Sequence, residues 1–440
     1  MMMKIRKPIR KVLAVALVLT MTVPFGIGAS AVQDVTGSKN YTISNPYAAV
    51  NWSTWGHYKG NLHAHSTVSD GEDTFTAAIE EYYTRGYDVL AMTDHGVVNR
   101  GWNVKPTPVP LLSFNMILNK PVPLTNERYA QITTGSDRGG RGMTDVPMGI
   151  ELNTAVLTKS HVNGFFVDYG QNDWGKENDF ECPIAAVDAL GGLTHINHPG
   201  DWLESARDIN IAKDPKNIKF FADILKKYDS CLGIEAINSQ DSVTRHDRVL
   251  WDGLLESVIP AGRNVWGFAN ADSHNFDDID TGFEIFMMPA NTLANVRTAM
   301  ETGAFFACGR IARPELGDGF KGTGPYPVVT NIAVNDSQDQ ITIQGTDYDV
   351  IEWIAKGEVI ATGGTIDLND YEDQIGRYVR AQLKGPGGIC FTQAFVTDDG
   401  SPPPPEPQVN FFVKLWDDFV FAFKSTRIYV IINELVKELS

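Results

Sequence analysis

Residues 60–71 read GNLHAHSTVSDG, and the short strand-like run ahead of the two histidines decides how the rest of the chain is read. Side chains two apart on a strand project to the same face, so His63 and His65 can grip one cation together from a strand's carboxyl end. Asp272-Ser-His274, inside FANADSHN (268–275), repeats that geometry with one oxygen and one nitrogen donor. Between these two pairs lie LAMTDHG (90–96), GIELN (149–153), HVNGFF (161–166) and THINHPGDW (194–202). Together the strings offer one candidate ligand set: His63, His65, Asp70, His95, Glu151, His161, His198, Asp272 and His274. It uses six of the nine histidines in the chain. Neutral imidazole suits zinc, iron or manganese, and carboxylate oxygens can bridge two cations and balance their charge.

In order and spacing these strings resemble the polymerase-and-histidinol-phosphatase (PHP) domain of metal-dependent phosphoesterases, over about residues 57 to 320. The resemblance implies an α/β fold, a distorted (β/α)7 barrel with a trinuclear site. Carried over position by position, His63, His65, Glu151 and Asp272 would hold a first ion. Glu151 would bridge to a second, completed by His161 and His198, and Asp70, His95 and His274 would hold a third. Two or three divalent ions (Mn, Fe or Zn) are therefore expected. Some relatives follow the HP dipeptide with a basic residue, whereas His198-Pro199 here continues Gly200-Asp201-Trp202. The cation that would clamp a substrate phosphate must then come from elsewhere. Arg310, in AFFACGRIAR (304–313), is the leading candidate, because guanidinium binds phosphate oxygens in pairs; Lys159 and Arg245 stand behind it. His195 and Asn197 share a strand face near the site and are candidates for substrate contact. Asp94 is a candidate either to orient His95 or to cap a turn.

Nearly every candidate ligand falls at the end of a strand in a coarse pass along the chain, where α/β barrels place their active sites. Strands are expected over 60–66, 87–93, 148–152, 162–169, 192–197, 231–238 and 265–271. Helices are expected over 74–85, 184–190, 217–228, 247–258 and 293–301. The long connection between His95 and Glu151 carries five prolines between Pro106 and Pro123 and then DRGGRG (137–142). It reads as a lid or a solvent-facing insertion, with Arg138 or Arg141 as residues that could point inward.

The first 31 residues stand apart. Lys4, Arg6, Lys7, Arg10 and Lys11 precede the apolar run 12–19, and Ala29-Ser30-Ala31 gives a cleavage signal, so residues 1–31 read as a secretory signal peptide. A short N-terminal segment, 32–56, leads into the PHP-like region at 57–324. After Gly324 short alternating runs separated by Gly, Asn and Asp predict a small β-rich, sandwich-like domain over 325–400. SPPPPEP opens a proline-rich linker at 401–410. The segment 411–440 has helical apolar spacing at Phe412, Trp416, Phe419 and Phe423, an amphipathic helix suited to a membrane surface, to self-association or to packing on its own domain.

At 440 residues and 43% hydrophobic content the chain is long enough for more than one domain with a buried core. Its formal net charge is −17, and losing the leader, with five basic and no acidic residues, takes it to about −22. Such a surface repels polyanions and argues against duplex nucleic acid as a partner. Cys182, Cys231, Cys308 and Cys390 lie too far apart for a zinc or redox motif. An exported chain could pair them in three ways, and buried free thiols are the alternative. The expected activity is secreted or cell-surface hydrolysis of small phosphoesters, nucleotide or sugar phosphates or phosphodiesters, by a metal-bridging hydroxide, with Asp272, Glu151, His198 and Arg310 at its centre. A carboxylic or carbamic ester hydrolase and a non-catalytic, metal-stabilised extracellular binding protein are the alternatives.

Overall fold

The computed structural model describes residues 39–107, 121–154, 158–402, 415, 416 and 419. The expected leader, most of the proline-rich linker and most of the C-terminal helix lie outside the described residues. No helix among the described residues is long and apolar enough to cross a membrane.

The architecture is mixed α/β. Strand β1 (Thr42–Ser44) is followed by β2 (Gly56–Asn61), β3 (Val89–Leu90) and β4 (Thr144–Asp145), which pair in parallel. Helix Phe75–Thr84 connects β2 to β3. Thr74 caps it by accepting from the Ala77 N–H, and Phe75, Ala78, Ile79, Tyr82 and Tyr83 are buried at the three- and four-residue spacing of one helical face. A five-stranded sheet follows in chain order: β5 (Ile150–Leu152), β6 (Val162–Phe165), β7 (Leu193–Ile196), β8 (Cys231–Asn238) and β9 (Trp266–Asn270). Its first pairings are antiparallel, and those from β7 to β9 are parallel. Every residue of β8 is buried, as expected of a central strand covered on both faces.

Two strands that the alternation rule does not signal then turn the chain back. β10 (Gly282–Met288) runs antiparallel to β2, and β11 (Phe305–Gly309) antiparallel to β10. Both are buried throughout, so they show an apolar run rather than an in–out pattern. Beyond them come β12 (Val328–Asn335), β13 (Gln340–Thr346), β14 (Val350–Ala355), β15 (Glu358–Thr362), β16 (Thr365–Asp367), β17 (Tyr378–Gly385), β18 (Gly388–Phe391) and β19 (Phe395–Asp398). β12, β13 and β16 form their own three-stranded sheet. The others continue the sheet of β2, because β18 pairs with β11, giving eleven strands in all.

A buried ion pair fastens this continuation to the helix Asp247–Val258. The Arg380 guanidinium donates to both oxygens of Asp252 at 2.7 Å, and the Tyr378 hydroxyl adds a third donor at 2.7 Å. Arg138 and Arg141 are also spoken for: both hold the buried Asp88 carboxylate, Arg141 through two 2.6 Å contacts. DRGGRG therefore braces the end of the helix–strand unit, and neither arginine lines the cavity described below.

Candidate metal centre

Two isolated bridges join the sheets: Ala64 pairs in parallel with Ser273, and His95 in parallel with Glu151. The His65 N–H donates to the Ser273 carbonyl at 2.9 Å, and the Glu151 N–H to the Thr93 carbonyl at 3.1 Å. Because Ala64 and Ser273 lie side by side, the residues flanking each of them turn to the same side. The H-x-H and D-x-H pairs thereby become four neighbouring ligands. Where the regular ladders stop, side-chain amides continue them. The Leu62 N–H donates to Asn270 Oδ1 (2.7 Å), the Ala271 N–H to Asn61 Oδ1 (2.8 Å), and Asn163 Nδ2 to the Leu62 carbonyl (3.1 Å).

The turn after H-x-H is tightly built. Gly71 donates to the Ser66 carbonyl at 2.9 Å, and a Cβ at this glycine would lie 2.8 Å from Ser66 backbone atoms. Asp94 accepts from the N–H and hydroxyl groups of Ser66 and Ser69 at 2.8–3.1 Å, so it caps this turn and does not orient His95. Two ligands sit in left-handed backbone, Asp272 at φ +44° and His198 at φ +27°. Such conformations cost about 1–3 kcal/mol each in non-glycine residues and persist where the surroundings over-determine them, most often at functional sites.

All nine candidate ligands come together. Glu151 is the hub: its Oε1 lies 3.3 Å from His63 Nε2, 3.1 Å from His161 Nδ1 and 3.2 Å from His198 Nε2. Its Oε2 lies 3.2 Å from His65 Nε2 and 2.9 Å from His95 Nδ1. Asp272 Oδ1 is 3.2 Å from both His63 Nε2 and His65 Nε2, and Asp70 Oδ2 is 3.4 Å from His95 Nε2 and 3.5 Å from His274 Nε2. The donor atoms fall into four overlapping groups within 4.8 Å: His65, Asp70, His95 and His274; His63, His65 and Glu151; His63, His198 and Asp272; and His95, Glu151 and His161. His65 thus reaches the Asp70 group as well as the Glu151 group to which the resemblance assigns it.

The donor chemistry fits a cation. His63 Nδ1 lies 2.8 Å from Glu235 Oε1, and an ionised carboxylate can only accept, so in a neutral ring the proton sits on Nδ1 and the Nε2 lone pair faces inward. That lone pair meets Glu151, Asp272 and, at 3.1 Å, the Nε2 of His65. Acceptors crowded on acceptors repel unless positive charge lies among them. Without a metal, protons play that part. Burial alone would lower the pKa of His63, but Asp272, Glu235 and Glu151 hold it well above its ordinary value. His198 is raised to about 9 and His274 to about 10, in both cases by their carboxylate neighbours against burial. Burial alone would raise Glu151, but His95, His161 and His63 hold it well below the usual carboxylate range. Divalent ions would supply the same compensation and leave the imidazoles neutral.

Glu235 was not anticipated from the sequence. It sits fully buried in β8 and, besides His63, accepts from the His198 N–H, Asn238 Nδ2 and Asn270 Nδ2, each at 2.9 Å. A carboxylate that fixes the tautomer and aim of a ligating histidine is a common outer partner of metal sites. Its signal was available as a lone acidic residue in the apolar run CLGIEAIN (231–238). Asn197 likewise donates to Glu151 Oε1 at 2.7 Å, so it positions the hub.

The remaining candidates are placed differently. His195 is fully buried, stacks on Phe268 with ring centroids 4.7 Å apart, and has no hydrogen-bond partner at either ring nitrogen. Burial pushes its pKa down to about 4, so it is a neutral core histidine. Arg310 donates to the carbonyls of Gly324 (2.9 Å) and Gly387 (3.2 Å) and lies over the Tyr326 ring. Arg245 pairs with Asp318 at 3.0 Å. Lys159 pairs with Asp201 at 2.9 Å.

A cavity of about 260 Å³ opens over the cluster, floored by His95, Glu151, His161, His198, Asp272 and His274. Asp201 and the segment 238–244, NSQDSVT, make its wall. Arg248 pins that wall from behind, binding both oxygens of Asp241 at 2.6 and 2.9 Å while it also holds Glu315. Of Arg310, Arg245 and Lys159, only Lys159 has a partner in the lining; among the described lining residues there is no Lys, Arg or aromatic ring other than histidine. The arrangement can bind one or more divalent metals beside open space for water and a small substrate.

No protein-family model matches the chain, and no curated protein matches it. Among solved structures it is similar to a two-domain protein from Bacteroides vulgatus containing a predicted PHP-like metal-dependent phosphoesterase, at 14% identity and a TM-score of 0.40 over 82% of this chain and 90% of that one. A likeness at that level carries no argument about what this chain does.

Proposed function

We propose that this chain is a metal-dependent hydrolase that cleaves phosphoester bonds of small molecules. The observation that carries the reading is the convergence of nine candidate ligand residues hubbed on Glu151, six of which floor an open cavity. Structural metal sites are closed by protein ligands, whereas catalytic ones keep positions for water and substrate. Divalent ions held there would supply a lowered pKa for bound water and charge stabilisation for the attacking and leaving oxygens of an in-line displacement.

The chain's own residues then do the following. His63, His65 and Asp272 fix one end of the cluster, His161 and His198 the other, and Glu151 sets the distance between them. Asp70, His95 and His274 form the outer group, with the Asp70 side chain half exposed. Glu235 and Asn197 keep His63 and Glu151 aimed. Lys159 stands close enough to the rim, through Asp201, to meet an anionic substrate. The surroundings of Arg310 lend it no such role. A small polar leaving group suits the wall of Asn238, Ser239, Gln240, Ser242 and Thr244. The missing arginine clamp favours, as a second reading, a carboxylic or carbamic ester, whose carbonyl carries less charge.

The two sheets are read as a distorted barrel joined at the Ala64–Ser273 and His95–Glu151 bridges, a closure the bridges support. The basic, apolar and Ala-Ser-Ala series of residues 1–31 supports export.

The test is turnover. The manganese-loaded chain should release phosphate or alcohol from a panel of phosphomonoesters and phosphodiesters, and His63→Ala should abolish that release. Inorganic phosphate should inhibit. Silence on the whole panel, with hydrolysis of carbonyl esters that phosphate does not inhibit, would move the assignment to the second reading.

A further inference from the structure

Cys308 and Cys390 are partners in the antiparallel register of β11 and β18, in a junction of only three register pairs, Ala307–Phe391, Cys308–Cys390 and Gly309–Ile389. Directly opposite residues on antiparallel strands hold their Cα atoms about 4.5–5.5 Å apart with side chains on one face. Both spacings fall inside the range of about 4.4–6.8 Å that a disulfide spans. The Cys390 sulfur lies within hydrogen-bond reach of Cys308, and both residues are buried, at 0% and 1% exposure. The other two cysteines have no such neighbour. Cys231 stands opposite Thr194, and Cys182 is exposed at the start of the helix Glu181–Ala189.

The position of the pair gives the bond a purpose. β11 belongs to the part of the sheet that packs against β2, and β18 carries β17 and β14 on its far side. Within the sheet, β11–β18 is the strand pairing that joins β14, β15 and β17 to β10 and β2; the side-chain ties of Arg380 and Tyr378 to Asp252 and of Gln393 to Gly267, and the β1–β19 pairing, add to it. A covalent tie at its middle register pair would lock this short three-pair ladder, and with it the attachment of β17 and β14 to the strands that lead to the candidate metal centre.

We propose that Cys308 and Cys390 form an intrachain disulfide, made by exchange with a disulfide donor such as oxidised glutathione. One cysteine thiolate attacks a donor sulfur and releases a donor thiolate; the second then attacks the mixed disulfide and releases the other. The two cysteine thiols lose two protons and two electrons, and the donor disulfide is reduced to two thiols. Because both sulfurs are covered in the folded chain, the exchange belongs to folding or to transient opening of the junction.

The experiment refolds the full chain in a glutathione redox buffer and, in parallel, in reductant alone, and then alkylates it under denaturing conditions before and after reduction. The oxidised sample should hide two of its four thiols until reduction. Peptide mass mapping should find the strand peptides 305–309 and 388–391 linked. The oxidised form should also melt higher than the reduced form. Cys182→Ser should leave the link in place, and Cys308→Ala should remove it together with the melting difference. If Cys308→Ala fails to fold, the oxidised and reduced wild type carry the comparison. Four alkylatable thiols after oxidation, a link that includes Cys182 or Cys231, or equal melting of linked and unlinked chains would each overturn the proposal.

Discussion

Two of the buried clusters of charge among the described residues are built on opposite logic. At Asp252 the Arg380 guanidinium and the Tyr378 hydroxyl point donors at a carboxylate, so the charges are matched by the protein itself. At Glu151 five imidazole nitrogens crowd two carboxylate oxygens at 2.9–3.3 Å, and His63 can be neutral only with its lone pair turned toward them. The first cluster is finished when the chain folds. The second is finished only when something positive enters, and that difference separates a fastening from a binding site.

The sharpest way to break the comparison is at the hub. Glu151→Gln should lose bound metal, read by elemental analysis, and cut turnover by more than the about 10- to 100-fold typical of removing an outer partner of a metal ligand. Unchanged metal content in that variant would show that Glu151 is not the hub on which metal binding depends. The opposite cluster predicts the opposite pattern. Arg380→Met should leave metal content unchanged but lower stability by about 3–5 kcal/mol in urea unfolding, because Asp252 is left buried without its partner.

Glu235→Gln lies between the two. The ring of His63 keeps a hydrogen-bond partner but loses a charged one, so metal affinity measured by competition with a chelator should fall by about 10- to 100-fold with the fold intact. The smallest effect is a matter of pH. Burial pushes the carboxyl of Asp145 up from 3.8 to about 7, against hydrogen bonds from the Trp102 N–H and Asn99. A folded-state pKa raised in this way contributes stability that is complete below the unfolded value of 3.8 and is gone once the pH has risen through about 7. Asp145→Asn should flatten that part of the stability profile, and a variant whose unfolding free energy keeps the wild-type slope across this window would show that another group sets it.

The convergence of the candidate ligands was legible because such chemistry demands rare residues at short spacing on strand ends: H-x-H, D-x-H, TDHG and HPG each declare themselves locally. The helix 247–258 and the strand 231–238 were legible from local period and apolar run, and the helix 293–302 also from its ends, Thr292 capping it and Gly303 closing it in left-handed backbone. What escaped depended on distance in the chain. β10 and β11 bury both faces and show no alternation. Glu235 matters only because His63, 172 residues away, needs a carboxylate at Nδ1. Arg310 was a reasonable cation by position, yet its guanidinium is claimed by carbonyls at Gly324 and Gly387, the second of them in a part of the chain 77 residues on. For Asp94 the local sequence left two readings open, and only the turn that starts 28 residues earlier decides for the cap.

The bridge between Ala64 and Ser273 sorts the sequence by its tolerance of insertion and deletion. One residue gained or lost within 62–66 or 271–275 would reverse which side chains face the cluster, because strand-like backbone alternates sides at every step. Two ligands would be exchanged at once for whatever stood beside them. In the connection from Gly96 to Gly149 that parity rule holds only at its own paired residues, Asn99 opposite Gly149 and β4 beside β3. Lineages of this chain should therefore vary in length between these motifs and keep strict count inside them.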